Sequence, residues 1–409
     1  MTDNTPQMGS TADAGTGFES VIGDPSADTA NASQAGGHRV SGSHRAARTA
    51  SSKRTVSAVA GVIGEILITL AVIVGFYLAW QMWWTGVMSQ RTQASDDEVQ
   101  TSSWTSAKSS DNTYRIAKAN PVSTTPLEEG KYQTSKIMSK IYIPRFGAKW
   151  VRNIVEGTDI QQLNMHGLGH YSESQKAGAI GNFAVAGHRA GYGEPLAHID
   201  DFKPGDKIVL RTQNYWYVYE YTNHEIVDPE NVGVIEPVPN HPGQKPTERL
   251  ITLTTCEPRY AYITAAHRWI AYGKLVSWSR VSEGVPKELA SKARDGQVVF
   301  AQEEGATVLP PDMSHIALAS LLSYVVVYLA ALAVWRYRGV RKYLGTAKGK
   351  RPVFSFYGWL TRIQPGPLPV RIVLVLLLCA TLIAVFFQWG YPWMAQNLPF
   401  LQLTSNYVG

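Results

Sequence analysis

The chain has 409 residues, 44% hydrophobic and 17% charged, with a formal net charge of +6. Length allows one or two domains plus additional segments, and the composition fits a chain with both membrane and soluble parts. The basic excess lies beside apolar runs, which points to orientation in a membrane. No RNA-binding signature or zinc-finger spacing occurs, so no nucleic-acid partner is expected.

Residues 1–55 are rich in Ser, Thr, Ala, Gly and Asp and poor in large apolar side chains. Such a segment cannot bury enough surface to offset ordering, and a disordered cytoplasmic tail is expected. It ends in a basic cluster, His38, Arg39, Arg45, Arg48, Lys53 and Arg54. An apolar run over 56–84 follows, long enough to cross a bilayer, with Glu65 near the inner interface and Trp80, Trp83 and Trp84 as the outer belt. A cleaved signal peptide is the rival reading. The length of the run and the lack of a small-x-small cleavage site after it favour an uncleaved signal anchor.

Residues 85–136 are polar and read as an extracellular stalk. Over 137–281 the pattern changes to short apolar runs separated by Gly, Pro and Asn turns: KIYIPRFG, NFAVAG, DKIVLRT, YWYVYEY, RLITLTT and RWIAYGKLVSW. Several alternate with the strand period, and their close spacing argues for a β-barrel or sandwich in one domain. A polar linker is expected over 282–314.

Two further apolar runs, 315–336 and 371–390, are near the minimum spanning length. The loop between them, 337–370, and its borders carry Arg336, Arg338, Arg341, Lys342, Lys348, Lys350, Arg351, Arg362 and Arg371 and no acidic residue. The positive-inside rule makes that loop cytoplasmic. The acidic stretch before the second span then lies outside, as do the barrel and the tail 391–409. The expected protein is multi-pass in the cell membrane, with its strand-rich domain extracellular.

Only two cysteines occur, Cys256 and Cys379. Cys379 falls in an apolar run, where it packs as a small hydrophobe. Cys256 follows the strand string LITLTTC and is the sole thiol of the polar region. A thiol with a reference pKa of about 8.5 needs a base to become a nucleophile. His188, in GNFAVAGHRAGYG, can accept that proton and return it to a leaving amine. Attack on an amide makes an oxyanion that needs a preplaced donor. Arg268, opening the strand string RWIAYGKL, offers fixed charged donors. Taken singly, each residue has a plainer reading: a buried inert thiol, a surface histidine, a solvated arginine. Arg189 and Arg259 also adjoin the proposed catalytic residues and compete for the oxyanion role. No HExxH spacing occurs, and His166 and His170 fall in a Gly-containing loop, so neither a metal nor a cofactor is expected.

At these strings the chain resembles the sortases. Thr252 to Cys256 matches their TLxTC signature, Ala186 to Arg189 the strand of their catalytic histidine, and Arg268 their third catalytic position. IYIPRFG, VEGTD, GLGHY and the pair Gly181 and Asn182 extend the match to class E sortases of actinobacteria. The resemblance implies a closed eight-stranded barrel, here with one N-terminal and two C-terminal transmembrane helices. It implies Cys256 as nucleophile, His188 as acid/base and Arg268 as oxyanion or substrate-positioning group. It also implies cleavage of an LAxTG- or LPxTG-like C-terminal sorting signal between Thr and Gly, through a thioacyl intermediate. The partners would be secreted proteins bearing that signal and an amine acceptor, the peptidoglycan precursor lipid II or a pilin Lys. Pilin-polymerising members usually carry an Asp-Pro-aromatic lid before the barrel; none stands between Arg91 and Lys136, which favours wall anchoring. A cysteine protease that hydrolyses without transfer remains an alternative.

Overall fold

The computed structural model describes residues 43–127, 132–259, 266–293, 296–300, 310–336 and 355–404. The chain divides into Met1–Val56 and Ser57–Gly409. The expected disordered tail falls outside the described residues up to position 42, and the backbone is helical from Ser43. Most of the basic loop, 337–354, also lies outside them.

Helix α1 (Ser43–Ala79) runs through a π-helical turn (Trp80–Trp84) into α2 (Thr85–Gln100). Leu67, Ile68 and Leu70 each expose more than half of their surface. A contiguous apolar surface of that kind is costly in water and suits lipid. Three helical stretches are long and apolar enough to cross a membrane: Ser57–Gln100, Met313–Arg336 and Leu368–Asn397. They pack together. Tyr77, Trp80 and Trp84 form one cluster with Phe387, Tyr391 and Ala395, and Ser320 and Thr381 share a hydrogen bond of 2.9 Å. Glu65 accepts from Ser355 Oγ (2.5 Å) and Phe356 N (2.6 Å), which ties the first span to the short helix Phe356–Ile363.

The polar region forms a closed barrel. Its strands are β1 (Ile137–Tyr142), β2 (Val151–Glu156), β3 (Leu168–His170), β4 (Gly181–Ala186), β5 (Lys207–Arg211), β6 (Tyr215–Val227), β7 (Arg249–Glu257) and β8 (His267–Arg280). Around the barrel they run β1-β2-β3-β4-β7-β8-β6-β5. Closure removes free sheet edges. The period-2 alternation decides what fills the interior. In β7, Ile251 and Leu253 point into a core shared with Phe183, Val185, Tyr217, Tyr219 and Ala271. Thr252 and Thr254 take the other face, also buried.

The segments read as stalk and linker carry structure against the barrel. In the former, α2 reaches β1: Gln100 Oε1 accepts from Ile137 N at 2.9 Å, and Asp97 pairs with Lys140. Farther on, Asn120 N bonds Trp278 O (2.8 Å), and Trp278 Nε1 donates to Pro121 O (3.1 Å). In the latter, Ala290–Lys292 and Val298–Phe300 pair as a small hairpin. With Val281, Val285 and Leu289, Phe300 covers Trp216 and Val218 on the barrel wall. These segments attach through backbone bridges and a few large side chains, so their polar composition hides the contact.

Candidate active site

Strand β7 has β4 as its parallel neighbour and β8 as its antiparallel one. The register sets Ala186 beside Thr254 and Cys256 directly opposite Arg268. His188 lies two residues past Ala186, the last residue of β4, and Cys256 lies two past Thr254, the register partner of Ala186. Neighbouring strands are about 4.8 Å apart, and opposed Cβ atoms in an antiparallel pair about 5 Å. Cys256 and Arg268 are therefore cross-strand neighbours on β7 and β8, and His188 follows the adjoining end of β4, at the same end of the barrel. Cys256 and Arg268 are half-buried, whereas His188 is only 5% exposed.

The sequence around each residue explains its placement. Gly187 allows the approach that delivers His188, because a Cβ there would lie 2.2 Å from Leu168 Cδ2. Gly187 N bonds Thr254 O (3.1 Å), and Thr255 Oγ1 donates to Gly187 O (2.7 Å), so β7 clamps the end of β4. Thr252 Oγ1 donates to Asn182 Oδ1 (2.7 Å), whose amide in turn donates to Val234 O and Glu236 O. The threonines of TLTTC hold the strand that carries the thiol.

Asn164 was not singled out from sequence. It stands on the short helix α3 (Ile160–Met165), and its Oδ1 accepts the Nε2–H of His188 at 2.7 Å. Tyr192 packs against the ring, 5.4 Å between centroids. With Nε2 donating, Nδ1 is the basic nitrogen. No periodicity or motif joins position 164 to 188; only the fold does. Asn164→Ala removes this hydrogen bond, worth about 1–2 kcal/mol when buried. The expected result in a steady-state assay is a roughly tenfold fall in kcat with KM nearly unchanged.

Burial pushes the His188 imidazole down to about 4 from its ordinary 6.5, so it is neutral at physiological pH. An unfolded chain would protonate it below about 6.5 while the folded one resists until about 4. The unfolded state binds more protons across that window, so this contribution is complete above 6.5 and is lost as the pH falls to 4. The shift corresponds to about 3 kcal/mol. In unfolding scans of the full chain, His188→Gln should flatten the fall in stability between pH 6.5 and 4; an unchanged slope would place the titration elsewhere.

The two competing arginines are engaged. Arg189 is 5% exposed, pairs with Glu257 and with Asp200 (3.2 Å), and lies 5.2 Å over the Trp269 ring. Arg259 pairs with Glu194. Both tie the ends of β4 and β7 to the connecting loops. His166 bonds Asp96 (2.5 Å) and His170 bonds Glu156 (2.9 Å), each a pair rather than a ligand set.

Comparison with known proteins follows the same residues. Positions 141–276 match the family model described as the sortase domain. Sortase SrtE1 of Streptomyces coelicolor is 33% identical over 238 residues, 56% of this chain and 60% of that protein, so this chain spans under two thirds of it. Sortase SrtE2 of the same organism is 30% identical over 244 residues, 58% of this chain and 90% of that protein. The solved sortase E of Streptomyces avermitilis is 38% identical, covers 39% of this chain and 99% of its own, and has a TM-score of 0.35. With the barrel strands in the match and nine tenths of one class E relative covered, the chain belongs to the sortase family.

Proposed function

We propose that this chain is a membrane-anchored cysteine transpeptidase that cuts a C-terminal LAxTG- or LPxTG-like signal between Thr and Gly and joins the new carboxyl end to an amine of a peptidoglycan precursor. The observation that carries this reading is the register that sets Cys256 opposite Arg268, with His188 just past the end of the adjoining strand β4. Neutral His188 takes the Cys256 thiol proton on Nδ1, and the sulfur attacks the Thr carbonyl carbon. Arg268 holds the oxyanion through charged N–H donors. As the C–N bond to Gly breaks, the imidazolium protonates the departing amine, leaving a thioester. An incoming amine then attacks the same carbon and gives its proton to His188. The C–S bond breaks and the proton returns to the thiolate.

In this reading the N-terminus is cytoplasmic and the barrel lies outside. Support comes from Arg336, Arg362 and Arg371 around the connection between the second and third spans. Substrate, lipid-linked acceptor and enzyme then share one surface, which raises their effective concentration. The test incubates the full chain with a signal peptide, with and without a soluble amine. The expected products are an acyl adduct on Cys256 without the amine and an amide-joined product with it. Hydrolysis alone would reject the transferase, and absence of the adduct would reject the mechanism.

A further inference from the structure

Where the first membrane helix meets the barrel there is a cavity of about 370 Å³. Met82, Trp83 and Gln90 line its helix side, and Trp150, Arg152 and Arg259 its barrel side. Trp83 is 70% exposed and belongs to the outer tryptophan belt, so the cavity lies at the depth of lipid headgroups. Its walls are tied together: Thr85 Oγ1 accepts from Tyr192 N (3.1 Å), and a Cβ on Gly86 would come within 3.1 Å of Gly193 N.

The charges do not cancel. Glu194 also lines the cavity, but it pairs with Arg259. Arg152 donates to two backbone carbonyls, Val151 O (2.8 Å) and Gly193 O (3.4 Å), and lies 5.2 Å over Trp150. Among the described residues no carboxylate pairs with it, and burial alone lowers its pKa. A partly buried guanidinium without a counter-charge favours an anion, and a phosphate suits its fork of donors. Arg259, across the same cavity, is three residues beyond Cys256, so an anion held here sits beside the end of β7.

We propose that this cavity binds the phosphate of the lipid-linked amine acceptor, with Arg152 as its cation, and so holds the acceptor's amine at the membrane-facing edge of the thioester site. This rests on the transpeptidase reading above. The occupant is taken to be a membrane lipid because the cavity joins an exposed belt tryptophan and Met82 to a half-buried cation, a match for an amphiphile rather than for a free ion.

The test uses the full chain in phosphatidylcholine nanodiscs with two acceptors: a polyprenyl-pyrophosphate-linked peptide amine, and the same peptide amine without the lipid. Arg152→Gln removes the cation. Gln90→Glu, at an exposed position on the opposite wall, adds a repelling charge without disturbing the barrel. Each variant should raise KM for the lipid-linked acceptor tenfold or more and leave transfer to the soluble amine unchanged. Equal effects on both acceptors, or on neither, would overturn the site while leaving the transferase intact. Failure of the unaltered chain to transfer to the soluble amine would instead remove the reading on which the site rests.

Discussion

Cys256→Ala should lower the rate of Thr–Gly cleavage by about 10⁴-fold or more, to the level of the uncatalysed peptide. Removing the nucleophile of a covalent acyl-transfer enzyme ranks among the largest single losses known, about 10⁶ in a serine protease. No other thiol can substitute: Cys379 lies on the apolar helix Leu368–Val385, long enough with its continuation to cross a membrane. The variant should fold normally, because Cys256 is half-buried at the next-to-last residue of β7 and outside the packed barrel interior. Cys256→Ser should recover little, since a hydroxyl is far harder to ionise than a thiol and a buried neutral imidazole is a weak base for it. The readouts are peptide cleavage by mass spectrometry and the unfolding midpoint of the variant. Cleavage persisting in the alanine variant would end the thioacyl mechanism.

The sequence made β4 and β7 legible because both obey the strand period and end in chemically loaded residues. Thr252, Thr254 and Cys256 share one face while Ile251 and Leu253 face the core, and a reader of residues sees that alternation directly. The three spans were legible for the same reason, each a long apolar run. The partner of His188 was not. Asn164 comes 24 positions earlier on a helix of six residues, too short to declare itself by periodicity. The docking of α2 was hidden too, because its contacts are made by Thr85, Gln93, Asp97 and Gln100, polar residues that read equally well as a solvated stalk. Hydrogen bonds between polar groups leave no periodic trace, whereas buried apolar faces do.

Arg268 and Arg189 separate what adjacency in sequence left open. Arg268→Ala should lower kcat by about 10²–10³-fold, the range lost when one oxyanion donor is removed, with little change in the unfolding midpoint because the side chain is half-buried. Arg268→Lys should recover only part of that loss, since a single ammonium cannot reproduce the planar fork of donors. Arg189→Ala should behave differently. It leaves Glu257 and Asp200 without their cation and Trp269 without its stacked guanidinium. The cost is a stability loss of roughly 2–3 kcal/mol, discounted because Asp200 is half exposed. Any effect on rate would come through displacement of the ends of β4 and β7. Measuring kcat and the unfolding midpoint for both variants side by side separates the roles. If Arg189→Ala kept its stability and lost the rate while Arg268→Ala kept its rate, the oxyanion donor would be Arg189, and the cross-strand pairing with Cys256 would have misled.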